Sequence, residues 1–391
     1  MEKNIPLVLT GQQIGVGWSP ALSVIKALVA LDEAKRLGGE AIFWMADEDH
    51  DAVEVSRTAL RKDGRILKVQ FEFGQNPQTS AAWFPFDDKH QRQALDLWGS
   101  SIPTPQEPTL RGHFEALGQP LKKLGLSFFS PTRDIDRFKL NAILRDWREL
   151  NLELKLKQTY QDLSRQGIEC SIDPSKQSTW FSLNPISGQR LRLDPANPLG
   201  AELWLSPGAA LRPLLQSHLL NVHTVVVGPS ELSYWQLVDP LWELLQIRKP
   251  TLKLRPSLWS IPSHCSVEAD QIPLLRQGNW QALLPAGAPL PSESLTLTSN
   301  PNWDPDIRSR IDQELQRAKE RLEKIDRKIQ RVLLHKALGE DPQILKQYLF
   351  PLGRDQERIL SGASWLLDPS MLTRLTESLS KASPVVIMKE L

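Results

Sequence analysis

An α/β fold on a parallel sheet is what this sequence predicts, and three observations carry the prediction. Apolar runs at 5–9, 41–45 and 224–227 are each short enough for a buried strand, and each ends in a glycine-bearing or acidic loop. Between the first two, Leu22, Ile25, Leu28, Val29 and Leu31 repeat at helical spacing, so one helix crosses over and the strands must be parallel. Far downstream, Ile311, Leu315, Ala318, Leu322, Ile325, Ile329 and Val332 alternate by fours and threes with charges between them, which describes a C-terminal coiled-coil helix.

In chain order, the first strand ends in Thr10-Gly11-Gln12-Gln13-Ile14-Gly15-Val16-Gly17, and Ser19-Pro20 reads as a helix cap followed by proline at the first helical position. Gly38 and Gly39 close that helix. The strand at 41–45 runs into Asp47, Glu48, Asp49, His50 and Asp51. Residues 65–73 alternate like a strand, 86–99 and 114–124 read as helices, and 134–165 reads as one long helix or two in succession. Short runs near 179–183 and 190–194 suggest an inserted hairpin. The sheet resumes at 224–227, which ends in Gly228-Pro229-Ser230 before a helix at 231–246 and a last strand at 251–254. The expected organisation is a core over 1–260 with an insertion at about 60–200, a linker at 261–305 rich in Pro, Ser and Asn, a coiled-coil region at 306–350 and a C-terminal helical segment at 351–391 returning to the core.

With 391 residues the chain suits two or three units rather than one core. Its 40% hydrophobic and 24% charged residues are an ordinary globular balance. A net charge of +1 offers no footprint for nucleic acid or an anionic membrane. Cys170 and Cys265 stand apart, in no C-x-x-C pattern, which argues against a disulfide framework or structural zinc. The N-terminus has no apolar h-region and no apolar stretch reaches about 18 residues, so a cytoplasmic protein is expected.

Three places offer chemistry. The Thr10–Gly17 loop and the Ser19 helix start suit an anion, since glycine lets the backbone approach a ligand and a helix N-terminus favours negative charge. Neither nucleotide fingerprint is satisfied there, and a tight strand-to-helix turn is the competing reading. The acid-and-imidazole cluster follows a strand directly, and open parallel sheets bind ligands beyond the carboxyl ends of their strands. His50 titrates in the range a general acid or base needs, and the carboxylates beside it suit an amine or Mg2+; a solvated turn is the alternative. In the third place Glu231 either caps its helix or binds a substrate amine, and Arg212 either binds an anion or makes a structural ion pair. No zinc spacing is readable among the histidines.

Five strings in order resemble the bacillithiol-biosynthesis cysteine-adding enzyme family. They are Thr10-Gly11-Gln12-Gln13 with Lys26; Phe43-Trp44 with Glu48-Asp49-His50-Asp51; Leu205-Ser206-Pro207 with Leu211-Arg212-Pro213; Gly228-Pro229-x-Glu231-x-x-Tyr234-Trp235; and Leu349-Phe350-Pro351-x-Gly353-x-x-Gln356-Glu357-Arg358. The resemblance spans residues 7 to 379 and implies a Rossmann-like core with inserted connecting segments and a dimerising coiled coil. The loop Gly15-Val16-Gly17-Trp18-Ser19-Pro20 departs from the family's usual pattern, and the coiled coil lacks one arm. The activity it implies joins L-cysteine to glucosaminyl malate through an amide bond, in the last step of bacillithiol synthesis. ATP or ADP is the implied nucleotide, with Mg2+ as a further candidate.

Under that resemblance Asp49 and His50 handle the amine and its proton, and Glu231 completes the catalytic set. Thr10, Gly11, Gln12, Gln13, Ser19, Lys26, Trp44, Glu48, Arg212, Gly228, Tyr234 and Trp235 are the expected substrate-binding residues, and Gln356, Glu357 and Arg358 form a further family motif. Two other classes stay open: a nucleotidyl-transferase-like or metal-dependent enzyme acting on another amine, and a non-catalytic nucleotide-binding dimer.

Overall fold

The structure is a computed structural model, and it describes residues 5–62, 65–74, 76, 78–193, 200, 202–286, 302, 304–380 and 383–390. Strands β1 (Leu7–Gln12) and β2 (Glu40–Met45) are followed by the hairpin of β3 (Arg57–Lys62) and β4 (Arg65–Gln70) and then by β5 (Leu126–Phe129). An antiparallel three-stranded sheet, β6 (Trp180–Leu183), β7 (Arg190–Arg192) and β8 (Trp204–Pro207), precedes β9 (Thr224–Val227) and β10 (Thr251–Leu254). Strands β11 (Ser257–Ile261) and β12 (Val385–Lys389) pair with each other.

The central sheet has the order β10-β9-β1-β2-β5 with every pairing parallel. It confirms an α/β, Rossmann-like core. The strand order turns back on itself at β1, flanked by β2 on one side and β9 on the other, which is the crevice where such sheets take ligands. All four residues of β9 are buried, as expected for an apolar run in the middle of a sheet covered on both faces.

Neighbouring residues of β2 feed opposite layers because strand side chains alternate. Phe43 joins Trp18, Phe114 and Phe128 in one aromatic cluster. Trp44 stacks on Phe129 at 4.8 Å and enters the other layer, with Leu140, Leu144, Leu211, Leu214, Val227 and Trp242. The crossover helix runs over Leu22–Leu37 and ends at Gly38, whose left-handed φ of 64° lets its N–H reach the Ala34 carbonyl.

The start of that helix differs from the expectation. Ser19 is not its cap. Residues Val16–Trp18 form a 3-10 turn, and the helix begins at Leu22. The cause is Trp18, which is fully buried, stacked on Phe114 at 4.1 Å and bonded through its indole N–H to the Phe114 carbonyl at 2.7 Å. Drawing Trp18 into the core delays the helix and leaves the Ser19 hydroxyl against Thr58 Oγ1 at 2.7 Å.

The chain divides into two compact units, 1–257 with 357–384 and 258–356 with 385–391. Within the first, the C-terminal stretch grips the β1 loop: Ser361 Oγ donates to the Gly17 carbonyl at 2.6 Å, and Ala21 N donates to the Leu360 carbonyl at 2.7 Å. The second unit has its own core, including Trp259, Cys265, Leu275, Leu334, Leu338 and Leu345. Of the stretch read as a linker, 271–277 is helical, while 287–301 and 303 lie outside the described residues. Helix Pro305–Leu338 runs 34 residues and leaves Leu322, Ile325, Ile329 and Val332 exposed. No helix among the described residues is long and apolar enough to cross a membrane.

Candidate functional site

The carboxyl ends of β1, β2 and β9 bring all three predicted places together. At the β1 end, Thr10 Oγ1 donates to the Val226 carbonyl at 3.1 Å and ties β1 to β9. Gly11 sits where the strands approach most closely: a Cβ there would lie 2.7 Å from the Trp44 carbonyl oxygen. The glycine meets that demand.

Lys26 is 1% exposed and reaches back from the crossover helix. Its ammonium donates to the Gly11 carbonyl at 2.5 Å, to Gln12 Oε1 at 3.4 Å and to both Glu231 oxygens at 2.9 and 3.0 Å. Glu231 also accepts from Gly228 N at 2.5 Å, closing the start of helix Pro229–Leu237, and from the Tyr234 hydroxyl at 3.3 Å. Burial and then the adjoining Glu231 push the Tyr234 hydroxyl well above its ordinary range. Glu231 is therefore engaged on three sides, and in the loop Gly17 N donates to His113 Nε2 at 3.3 Å.

Asp49 is the hub of the second place. Its Oδ2 accepts from Gln13 Nε2 and Arg212 Nη2, both at 2.8 Å, and its Oδ1 from Arg190 Nη1 at 3.2 Å and His50 N at 2.9 Å. Burial alone would raise this carboxyl, yet Arg212, Arg190 and the Gln13 amide outweigh it and hold Asp49 well below the usual carboxylate range. A carboxylate so held orients its neighbours and is a poor proton acceptor.

Arg190 was not visible as a site residue in the sequence. It is 2% exposed, lies against the Phe181 ring at 3.8 Å, and donates to Ser206 Oγ and the Pro207 carbonyl, each at 2.9 Å. Burial brings its guanidinium down to about 10, against the opposing pull of Asp49. Its Nη1 also stands 3.1 Å from His50 Nδ1. A guanidinium can only donate, so Nδ1 is the acceptor and the imidazole proton sits on Nε2. Burial first and Arg190 next depress the His50 pKa, only partly offset by Asp49. His50 is thus a neutral ring presenting an N–H.

Beside this hub lies Asp47, fully buried, accepting from Ser130 Oγ at 2.5 Å and Thr132 Oγ1 at 2.8 Å, with Arg111 Nη1 at 3.6 Å. Burial raises its carboxyl to about 6 despite the two hydroxyls. Glu48 is buried next to it, 4.0 Å from Arg212 Nε, with neither oxygen hydrogen-bonded. Arg137, at the start of helix Arg137–Glu149, sends Nη2 to the Pro131 carbonyl and lies 4.5 Å over Trp204.

The remaining expected residues fall elsewhere. Trp235 stacks on Trp242 at 5.5 Å inside the core. Glu357 pairs with Arg255 Nη2 at 2.7 Å, and Gln356 donates to the Ser260 carbonyl at 3.0 Å within the second unit. Arg358 lies beside them in the short helix Gln356–Ile359. Among the described residues no three His, Cys, Asp or Glu side chains converge as a metal site. Trp44 Nε1, Arg212 Nε and Arg137 Nε and Nη1 are buried donors without acceptors, a set that suits an anionic oxygen.

Residues 1–128 and 201–256 match the family description "Bacillithiol biosynthesis BshC, N-terminal Rossmann-like domain". Those stretches contain β1, β2, β9 and β10 of the parallel sheet and all but the last residue of β5. A protein of Staphylococcus haemolyticus named "Putative cysteine ligase BshC" is 23% identical over 297 residues, covering 64% of this chain and 55% of that protein. One of the same name from Solibacter usitatus is 23% identical over 416 residues, covering 92% of this chain and 79% of its own length. The chain thus spans little more than half of the staphylococcal relative. Tryptophanyl-tRNA synthetase of Plasmodium falciparum superposes over 95% of this chain and 84% of its own at 12% identity, with a TM-score of 0.28 that carries no weight.

Proposed function

We propose that this chain, whose residues 1–128 and 201–256 match the BshC N-terminal Rossmann-like domain, is a ligase joining L-cysteine to the amine of glucosaminyl malate. The observation that carries the reading is the enclosed cluster of acids, arginines and imidazole at the carboxyl ends of β1 and β2, inside the matched residues save for Arg137 and Arg190. Such an edge suits two polar substrates brought side by side.

ATP with Mg2+ would supply activation of the cysteine carboxyl. The chain's own part is positioning. Asp49, fixed by Arg190, Arg212 and Gln13, holds the backbone of His50, and the His50 Nε2–H donates to an oxygen of the bound substrate. Lys26 and Glu231 lock the β1 and β9 loops so that the crevice keeps its shape. The amine, once deprotonated, attacks the activated carboxyl carbon, the activating group departs, and an amide remains. A homodimer through helix Pro305–Leu338 is part of the proposal, since its exposed Leu322, Ile325, Ile329 and Val332 repeat by threes and fours and need a partner surface.

The test is a mass-spectrometric assay of the purified chain with glucosaminyl malate, L-cysteine, ATP and Mg2+, each omitted in turn. The amide product should form only in the complete mixture. Its absence from a folded sample overturns the proposal.

A further inference from the structure

Buried polar atoms without a hydrogen-bond partner crowd one part of this molecule. Gln13 Oε1, Trp44 Nε1, Asp47 Oδ1, both oxygens of Glu48, Nε and Nη1 of Arg137 and Nε of Arg212 all belong to residues at the carboxyl edge of the sheet or its flanking loops. Native interiors satisfy nearly all such groups, so a concentration of orphans in one crevice points to a ligand that completes them.

Glu48 is the extreme member. Its side chain is 1% exposed, neither oxygen accepts a hydrogen bond, and Arg212 Nε stands at 4.0 Å from Oε1, too far to donate. Asp49, one residue on, has four donors for its two oxygens. The contrast separates two roles: Asp49 is saturated by the protein, whereas Glu48 is left for something else. Two bare carboxylate oxygens in a buried place call for a group with several N–H donors and a positive charge, which a hydroxyl does not provide. The orphaned Arg137 and Trp44 N–H groups call for the opposite, an acceptor oxygen. Arg137 donates to the Pro131 carbonyl, and the next residue, Thr132, donates to Asp47 beside Glu48, so both demands arise in one stretch of the crevice.

We infer that Glu48 binds the primary ammonium of a substrate and that Arg137 takes the acceptor oxygen accompanying it. The choice of amines rests on the ligase reading, in which both the amino acid and the amino sugar carry one. A free α-amino acid meets both demands, with a carboxylate beside its ammonium; an amino sugar offers hydroxyls instead.

The experiment is isothermal titration of the full chain, without nucleotide, using L-cysteine, 3-mercaptopropionate (the same molecule without its ammonium) and D-glucosamine. Wild type should prefer L-cysteine over 3-mercaptopropionate by about tenfold, and Glu48→Gln should erase that preference through about a tenfold loss on L-cysteine alone. Both ligands are compared on one sample, so a partly unfolded variant does not mimic the result. A tenfold-scale loss confined to D-glucosamine assigns the ammonium to the amino sugar and keeps Glu48 as its partner. Unchanged binding of both amines by Glu48→Gln overturns the inference. Product formation alongside that result would leave the ligase reading standing without this subsite, and ammonium-dependent binding without product would do the reverse.

Discussion

Replacing Arg190 with Met keeps most of its aliphatic length and removes the guanidinium from a place it fills almost completely. Taking one partner from a buried ion pair costs about 3–5 kcal/mol when the other is left bare. Here Asp49 keeps Arg212, Gln13 and the His50 amide, so about 2 kcal/mol is the share owed to the broken pair. Ser206 Oγ and the Pro207 carbonyl each lose a donor while buried, at about 1 kcal/mol apiece. The working figure is about 4 kcal/mol, a large fraction of the 5–15 kcal/mol that typically holds a protein folded. Urea unfolding followed by tryptophan fluorescence reads it, with Arg190→Lys as the control that keeps the charge and loses the fork, at about half the cost. The same variant should raise the His50 midpoint in a proton NMR titration, because one of the charges that depress it is gone while Asp49 remains. A loss below about 1 kcal/mol would refute the reasoning, since it would mean the Arg190–Asp49 contact is no stronger than a solvated surface pair.

Other expectations follow from the same crevice and from the long helix. Asp47 has a folded value of about 6, above the unfolded value near 3.9, so its protonation favours the folded state and the stability it contributes is lost as pH rises through 6. Unfolding curves should therefore shift toward wild type relative to Asp47→Asn by about 1 kcal/mol between pH 7.5 and pH 5; a pH-independent difference would count against the burial of this carboxyl. Gly11→Ala places a methyl 2.7 Å from the Trp44 carbonyl, and should cost about 1–3 kcal/mol in the same assay because neither strand can yield. If the helix seam pairs two chains, Leu322→Glu with Ile329→Glu should halve the mass seen by light scattering without moving the unfolding curve, as both side chains are exposed in the single chain; an unchanged mass rejects the seam as the interface.

How far the sequence reaches is clearest at the strands. β1, β2, β9 and β10 were readable because apolar stretches flanked by turns and a helical pattern leave few other arrangements. β5, Leu126–Phe129, is not among the strands the sequence predicts. The C-terminal strand β12 was read as part of a helical segment, because Val385–Lys389 is too short to show a period. At the β1 loop the local signal was misleading: Ser19-Pro20 is a good helix start by composition, and the burial of Trp18 overrode it.

The site shows a sharper boundary. Asp49, His50, Glu48 and Arg212 lie in runs tied directly to sheet strands or helix starts, and their convergence follows from where parallel strands end. Arg190 has no such tie. Arg190 and Arg192 sit two apart on β7, on the same face by the period of a strand, yet one is 2% exposed and the other is open to solvent. Nothing local distinguishes them. What separates them is where each side chain reaches: Arg190, opposite Leu183 on β6, extends to Ser206 and to Asp49, more than a hundred residues away along the chain. A charge argument could have come close. Three consecutive acids at the end of a buried strand need buried cations, so the sequence implies that some arginines turn inward. It does not say which, because that depends on a pairing register that short strands of mixed composition leave unspecified. Glu48, Asp49, His50 and Arg212 are thus the more legible part of this crevice, and Arg137 and Arg190, whose place depends on contacts between separate segments, are the less legible.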